Sequence, residues 1–269
     1  MSSYGITETE NVESPLDQSI EEIQRMGYTV LLDVLPESTL AEARQRLDAV
    51  YARQVAEFGA ERLALIQETD MVRSPLTYDT WFFKLLMIDK VKEIISSLLG
   101  SYHIINLQNG IINRPQITHH QTSWHRDLPY QNWVCSRPLA VNAMFCIDDF
   151  TLETGGTIIL PHSHRFEKFP SKKYLASHES VAVSPAGGVI IFDAMLFHRA
   201  GANLSQKIRR GINHLYTIPL FKQQISLPMA LEKAGFQPLD HLRRLLGYDT
   251  EEPISTIDYR ERRLLKKQK

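Results

Sequence analysis

The chain has few of the features that would place it in a specialised class of protein. Its 269 residues include only two cysteines and carry a formal net charge of −1. A near-neutral chain has no overall field to draw it onto nucleic acid or an anionic membrane. No apolar run is long enough to cross a bilayer, and the polar N-terminus does not resemble a secretory signal. We therefore expect a cytoplasmic protein that acts on a small molecule, with neither nucleic acid nor membrane as a partner.

Cysteine usage and composition also argue against a disulfide-stapled scaffold. Cys146 lies in an apolar run that is typical of a strand, where a thiol behaves as a small hydrophobe, and we expect both it and Cys135 to be reduced. The chain is 43% hydrophobic and 23% charged, which is the ordinary composition of a globular protein with a sizeable core.

The pattern along the chain predicts helices first, then a β core, then helices again. Residues 1–16 lack hydrophobic periodicity and are expected to be flexible, and residues 17–269 are expected to form one domain. Its parts are a helical region over 17–100, a β core over 101–220 and C-terminal helices over 221–269. The predicted fold class is therefore mainly β with flanking α. The predicted helices are 15–26, 36–58, 80–87, 89–99 and a tail from Pro228, and the predicted strands are 28–32, 103–112, 139–147, 156–160, 180–183, 189–192 and 208–220.

One short stretch, His125-Arg-Asp127, suggests a metal site. In an extended segment, residues two apart point to the same face, so the imidazole and the carboxylate would project together while Arg126 turns away. Two histidines and one carboxylate with open positions form the ligand set of non-haem Fe(II) oxygenases. A bare His-x-Asp also arises by chance as a surface ion pair, so the interpretation depends on a third ligand.

The third ligand candidate is His198, and Arg209 follows it at the start of the last predicted strand. His198 ends an apolar strand just before Gly201 and Asn203, a position from which a side chain can reach into a barrel. An oxygenase of this type needs a fixed cation for the distal carboxylate of 2-oxoglutarate, and arginine supplies a bidentate, permanently charged fork. Because neighbours on a strand face opposite ways, only one of Arg209 and Arg210 should enter the pocket, and we favour Arg209.

Taken together, these motifs resemble the phytanoyl-CoA dioxygenase family of Fe(II)- and 2-oxoglutarate-dependent oxygenases. The resemblance rests on His125-x-Asp127, on Gly155-Gly-Thr-Ile-Ile-Leu-Pro-His-Ser-His164, on the block from Phe192 to Arg209 and on the opening Gly27–Pro36, and it spans about residues 18–220. It implies a double-stranded β-helix (jelly-roll) core with flanking helices. It also implies that His125, Asp127 and His198 bind iron and that Arg209 binds 2-oxoglutarate. The carboxylate of Asp127 fills the position that halogenating members leave to chloride, which favours hydroxylation or another oxygen-based outcome. We expect hydroxylation of an unactivated C–H bond with release of succinate and CO2, and desaturation, ring formation and epimerisation are the alternatives.

Two positions depart from the pattern of that family. Members often carry a serine two places after the distal histidine, where this chain has Ala200, and their usual Pro-Gly-Ser-His turn has His162 in place of the glycine. The first departure removes a hydroxyl that helps to hold 2-oxoglutarate. As replacements we propose Asn106 and Gln108, which are two apart and would share a face of their strand, although they could equally form a polar outer face.

Aromatic and hydrogen-bonding residues around the metal motif are candidates for contact with the substrate. A mixture of this kind suits a partly polar small molecule. The predicted substrate contacts are Trp124, Tyr130, Trp133, Arg137 and His120, and His162, His164 and His214 are expected to be structural.

Two other functions agree with parts of the same pattern. A cupin-like hydrolase or isomerase could use the histidines and the aspartate to bind zinc or another divalent metal, but Arg209 would then have no role. A non-catalytic β-sandwich binding module could use the three residues to join strands, and it would consume no oxygen.

Overall fold

The computed structural model of the protein describes residues 9, 11–117, 120–128 and 133–267. Two antiparallel sheets face each other, and helices cover the outer face of the larger sheet. The architecture is mainly β with flanking helices, and it is the double-stranded β-helix that the sequence predicts.

Within the described residues, the strands form one sheet of six and one of three. The larger sheet has the order β1-β7-β4-β9-β3-β2 and the smaller one β6-β5-β8, with all pairs antiparallel. The bounds are β1 Tyr28–Leu31, β2 Met71–Arg73, β3 Ile104–Asn113, β4 Ala140–Cys146, β5 Thr157–Ile159, β6 Ser180–Ala182, β7 Val189–Asp193, β8 His198–Ala200 and β9 Arg209–Thr217.

The helices lie mostly before and after the strands in the chain. They are α1 Pro15–Met26, α2 Glu37–Phe58, α3 Ala60–Leu65, α4 Asp89–Leu99, α5 Lys172–His178, α6 Leu227–Lys233, α7 Asp240–Arg243 and α8 Thr256–Lys267. Short 3-10 turns lie at Pro75–Thr77, Thr80–Met87, His120–Thr122 and Ser163–Arg165. None of the helices in the described part of the chain is both long and apolar enough to cross a membrane.

Helix α1 shows how local sequence sets the entry into the larger sheet. Ser14 and Asp17 form a capping box, in which the Ser14 amide donates to the Asp17 carboxylate at 3.0 Å and the Asp17 amide donates back to the hydroxyl at 3.2 Å. Gly27 ends the helix in the left-handed region at φ 91°, and a Cβ there would lie 2.5 Å from the Leu196 side chain. The chain therefore turns directly into β1, which pairs with β7.

Each face of the larger sheet has its own apolar core. The outer face packs against α1, α2, α4 and the C-terminal helices through residues such as Leu47, Phe82 and Ile95. The inner face packs against the smaller sheet through a second cluster that includes Met144, Phe150 and Phe192. Strand side chains alternate between the two cores, so neighbouring residues of one strand meet different environments.

The predicted strands and the helices before the β core are confirmed, with small shifts at their ends. The sequence analysis missed four short elements, namely α3, β2, α5 and β8, which are too short to show a period. The predicted C-terminal helix is interrupted, because Gly235 adopts φ 73° and Pro238 follows. Helix α1 begins at Pro15, inside the segment 1–16 that is predicted to be flexible, and residues 1–8 and 10 of that segment lie outside the described residues. Both cysteines are free thiols.

Candidate metal centre

The structure brings His125, Asp127 and His198 together at one end of the smaller sheet. Residue 125 forms an isolated antiparallel bridge with His198 on β8, in which each backbone amide donates to the other's carbonyl, at 3.0 and 3.1 Å. The Asp127 amide donates to the Ala194 carbonyl at 3.0 Å. The segment that holds the His-x-Asp motif is thus aligned by backbone hydrogen bonds against the segment that holds the distal histidine.

The three side chains converge on a common point. Asp127 lies 3.7 Å from the Nε2 atom of His125 and 3.6 Å from the Nε2 atom of His198, one carboxylate oxygen facing each ring. One potential ligand atom from each residue lies within 4.8 Å of the other two. His125 and Asp127 therefore face the same way, as expected for residues two apart in an extended segment.

Backbone carbonyls set the orientation of both imidazoles. Nδ1 of His125 lies 2.8 Å from the Ser123 carbonyl, and Nδ1 of His198 lies 2.9 Å from the Leu196 carbonyl. A carbonyl can only accept, so each Nδ1 carries the proton and each Nε2 lone pair points to the shared centre. Burial lowers the pKa of His198 to about 4, against the opposing effect of Asp127, so that ring is neutral near pH 7. Two imidazole Nε2 atoms and one carboxylate suit a divalent metal ion.

Arg126, between the two ligands, turns away from the centre, as the alternation of an extended segment predicts. Its guanidinium lies 3.8 Å from the centroid of the Phe197 ring and donates to carbonyls of Met195, Ser163, Glu167 and Phe166. This side chain therefore connects the metal segment to the loop after β5 and restricts its movement.

Arg209 and Arg210, at the start of β9, face opposite sides of the larger sheet. Arg209 is 2% exposed, donates to the Gly155 carbonyl at 2.8 Å and lies over the Phe150 ring, and its Nε atom has no partner. Burial lowers its pKa to about 10, which leaves it charged at neutral pH. Arg210 instead pairs with Asp48 at 2.8 Å and with Asp148 at 3.0 Å.

A cavity of about 820 Å³ connects the metal centre with Arg209. Its volume is that of a pocket for a drug-sized ligand. Among the described residues, the carboxylate on its wall is that of Asp127, and Arg209 is a lining cation without a carboxylate partner. A buried guanidinium of this kind is costly until an anion joins it, so this end of the cavity is suited to a carboxylate ligand.

Comparison with known proteins identifies the family. The phytanoyl-CoA dioxygenase family model matches residues 23–211. This chain belongs to the phytanoyl-CoA dioxygenase family. An uncharacterized protein of Mycobacterium tuberculosis is 38% identical over 244 residues, covering 87% of each chain. The dioxygenase cdmD of Talaromyces verruculosus is 22% identical and covers 75% of this chain and 70% of its own.

Solved structures agree with this assignment at the level of the fold. The 2-oxoglutarate-dependent epimerase SnoN from nogalamycin biosynthesis superposes with a TM-score of 0.59 at 17% identity, over 75% of this chain and 82% of its own. Family membership and the fungal relative together support a dioxygenase, and the family implies Fe(II) and 2-oxoglutarate. The donor set at the metal centre fits such an ion.

The structure accounts for both departures from the pattern of the phytanoyl-CoA dioxygenase family. Ala200 lines the cavity, and its direct partner across β5 and β8 is Thr157, a buried residue that lines the same cavity. Sequence reasoning missed Thr157, because only the strand register shows that it lies opposite Ala200. His162 adopts φ 64°, the left-handed region that glycine favours. Its backbone amide donates to the Met26 carbonyl and its ring bonds the Arg25 carbonyl, each at 2.8 Å, which stabilises this conformation.

The prediction that Asn106 and Gln108 share a face is wrong. A β-bulge between Ile105 and Leu107 shifts the alternation by one residue, so Asn106 lines the cavity and Gln108 lies on the opposite face. Gln108 is fully buried, accepts from the Leu76 amide at 2.9 Å and bonds His214. It cannot contact a ligand in the cavity, and its role is to satisfy polar groups under the helices.

Some of the predicted substrate contacts line the cavity and others do not. Trp133 lines the cavity, whereas Trp124 packs beside Phe169 and under Arg199, and neither Trp124 nor the exposed Arg137 is a lining residue. Tyr130 lies outside the described residues, and so does the side chain of His120.

The remaining histidines have structural surroundings. His164 bonds the Gln24 carbonyl at 3.1 Å, and His214 bonds Gln108 and Tyr216. Sequence reasoning also missed several cavity residues that come from elements without a motif. These are Met71, Arg73, Asn109, Gln121, Asn213 and the segment 221–224.

Proposed function

We propose that this protein is an Fe(II)- and 2-oxoglutarate-dependent dioxygenase that hydroxylates an unactivated C–H bond of a small molecule. The products from the co-substrate are succinate and CO2. The observation that supports this proposal is the pairing of two features in one cavity. Two imidazole Nε2 atoms and a carboxylate converge on one point, and the buried Arg209 guanidinium lacks a carboxylate partner among the described residues. A fold gains no stability from leaving a buried cation unpaired, so a ligand explains it better than packing does.

His125, Asp127 and His198 would hold the iron, and Arg209 together with Thr157 would hold the distal carboxylate of 2-oxoglutarate. When bound, the iron and 2-oxoglutarate supply the oxidising chemistry, in which O2 is consumed and 2-oxoglutarate loses CO2 to become succinate.

The residues of the chain contribute geometry and exclusion of water. The carbonyls of Ser123 and Leu196 keep both Nε2 lone pairs aimed at the centre, which orients the two rings for a metal ion. The side chain of His198 is only 8% exposed, which limits access of water from that side. The cavity then has to hold one C–H bond of the substrate beside the centre, because misplacement by an ångström reduces the rate strongly.

Hydroxylation and epimerisation are distinguished by the product. Hydroxylation leaves the product one oxygen atom heavier than the substrate, whereas epimerisation leaves its mass unchanged, and SnoN is an epimerase with a similar fold. We expect the heavier product, with the oxygen derived from labelled O2, and mass spectrometry measures it.

The His198→Ala variant tests the assignment without knowledge of the substrate. Under anaerobic conditions the wild-type protein should show the weak visible absorbance of Fe(II) with 2-oxoglutarate and a rise in Tm on adding both. H198A should lose both responses and any succinate formation, because one of three ligands is missing. The exposed His178 lies on α5, outside the cavity, so the His178→Ala control should behave as wild type.

Two outcomes would favour other functions. Tight binding of zinc with no effect of 2-oxoglutarate would indicate a hydrolase or an isomerase. No response to metal or to 2-oxoglutarate, with no oxygen consumption, would indicate a non-catalytic binding module.

A further inference from the structure

The cations that line the cavity, other than Arg209, already have partners among the described residues. Each is engaged by a carboxylate or by several carbonyls. These pairs are Arg73 with Glu68 (Nε to carboxylate, 3.0 Å), Arg199 with Glu179 (3.2 Å), Lys222 with Glu252 (2.6 Å) and Arg126 with the carbonyls described above.

Apart from Arg209, an anionic substrate would therefore find no cation without a partner in the described part of this cavity, although the Nε atom of Arg199 makes no hydrogen bond. Under the proposed function Arg209 binds 2-oxoglutarate and Asp127 binds the iron, so neither charged group is left to pair with the substrate. Moving a phosphate or carboxylate out of water without a charge-assisted partner is strongly unfavourable. This argument applies to a phosphorylated substrate and to the phosphates of an acyl-CoA alike, wherever they would enter the cavity.

Away from Arg209, the cavity offers an apolar surface. Leu215 lies six residues after Arg209 on β9, which places it about 20 Å further along the strand at the usual rise per residue. Its cross-strand partner is Leu107, and both belong to an apolar cluster with Leu128 and Phe221. All four of these side chains line the cavity, so this end suits a hydrocarbon skeleton.

Polar residues interrupt the apolar surface, and Asn106 is one that offers a hydrogen-bond acceptor. Asn106, the bulged residue of β3, donates from Nδ2 to the Lys222 carbonyl at 2.9 Å, which orients its amide. No described group donates to the Oδ1 atom of Asn106, and the residue lines the cavity. A hydroxyl group on a ligand would donate to that oxygen and would add no charge.

We propose that the substrate is a neutral molecule with an apolar skeleton and at least one hydroxyl group, which donates to Asn106. This inference rests on the proposed function, because it assigns Arg209 to 2-oxoglutarate. Each charged side chain on the described wall then serves the metal or the co-substrate or already has an internal partner, so recognition of an anion would require one of these partners to be displaced.

Matched pairs of ligands test the proposal on the full chain with anaerobic Fe(II) and 2-oxoglutarate bound. The probes are farnesol with farnesyl phosphate, estradiol with estradiol 3-sulfate, and palmitoyl-CoA as a large anion. We expect the neutral member of at least one pair to bind with a Kd at least tenfold below that of its ester, measured by calorimetry. Tighter binding of an ester or of palmitoyl-CoA would overturn the proposal, and so would a lack of binding by both neutral compounds.

Two variants test which residues cause the preference for the neutral compound. Glu68→Gln removes the carboxylate that neutralises Arg73, so the ratio of the two Kd values should shift at least threefold towards the ester. Asn106→Leu should weaken binding of the neutral compound about tenfold. Thr217→Val is the matched control, because Thr217 is buried on β9 but does not line the cavity. An unchanged ratio of Kd values in E68Q would contradict the charge argument. Equal binding of the neutral compound by N106L and T217V would contradict the assignment of Asn106.

The same assay separates this inference from the proposed function. Loss of the Tm response to Fe(II) and 2-oxoglutarate in the wild-type protein would refute the dioxygenase assignment. A normal response combined with a preference for anionic probes would refute only the neutral substrate.

Discussion

Adjacent residues of one strand have different partners on the two faces of the larger sheet. On the outer face, Arg210 lies between Asp48 and Asp148, and its polar atoms are satisfied within the fold. On the inner face, Arg209 meets a carbonyl and an aromatic ring, and its Nε atom has no partner. The comparison teaches that a satisfied charge belongs to the architecture, whereas an unsatisfied buried charge indicates a ligand.

The same contrast holds further along the two central strands. His214 and Gln108 bond each other at 2.8 Å on the outer face, and Tyr216 and the Leu76 amide complete that network. Across the cavity, beside the smaller sheet, the triad leaves both Nε2 atoms and the carboxylate oxygens free to bind a common ion. His214 and Gln108 on the outer face therefore bond groups of the fold, whereas the ligand atoms of the triad remain available.

Exchanging each arginine for methionine is the most direct way to break this comparison, and it has the largest expected effect. Arg209→Met should raise the Kd for 2-oxoglutarate about 100-fold, because two charge-assisted hydrogen bonds together contribute about 3 kcal/mol. It should leave the free energy of unfolding equal or higher, since it removes a buried cation that has no anion. Arg210→Met should lower that free energy by about 1–3 kcal/mol and leave the Kd unchanged. Titration calorimetry and urea denaturation measure the two quantities, and the reverse pattern would refute the comparison.

Low pH should reduce the free energy of unfolding, because His214 is buried on the outer face of the larger sheet. Burial lowers the pKa of His214 to about 3, so the folded state keeps the ring neutral while the unfolded chain takes up a proton below its ordinary pKa of 6.5. The unfolded state then binds more protons, and stability is complete above pH 6.5 and declines as the pH falls towards 3. One such histidine contributes a slope of up to about 1.4 kcal/mol per pH unit.

His214→Gln should flatten that slope, because the amide does not titrate. Urea denaturation of the metal-free wild-type and variant proteins between pH 6.5 and 4 measures the difference. Equal slopes for the two proteins would show that His214 does not link stability to pH.

The smallest expected effect tests whether Thr157 contacts 2-oxoglutarate. Thr157→Val keeps the shape of a residue opposite Ala200 but removes its hydroxyl. We expect the Kd for 2-oxoglutarate to rise about 5- to 10-fold, which corresponds to one hydrogen bond to a charged group at about 1–1.4 kcal/mol. Thr217→Val removes a hydroxyl from β9 of the larger sheet, outside the cavity, and should not change that Kd. An equal response of the two variants would remove Thr157 from the proposed contacts.

Much of the fold could be predicted because its signals are local. The capping box at Ser14, the break at Gly27 and the β-branched runs after Gly100 each depend on a few neighbouring residues. The elements that were missed, such as β8 with three residues, form only because a facing strand pairs with them. Their stability comes from tertiary pairing, which no short window of sequence contains.

The candidate site was predictable where chemistry restricts the residue type. Few side chains can bind iron or grip a carboxylate, so His125, Asp127, His198 and Arg209 could be chosen from type and spacing. The error at Gln108 had another origin, since an unseen bulge reversed the alternation on which that prediction depended.

By itself, the sequence determined which side chains could act and in which order helices and strands form, because side-chain chemistry and local backbone preference belong to single residues and their neighbours. Only the tertiary structure decided which of those groups meet. It placed His198 beside the His-x-Asp segment, set Thr157 opposite Ala200 and turned Gln108 away from the cavity. The physical reason is that strand register and sheet packing join residues far apart in the chain, and a shift of one position moves a side chain to the other face.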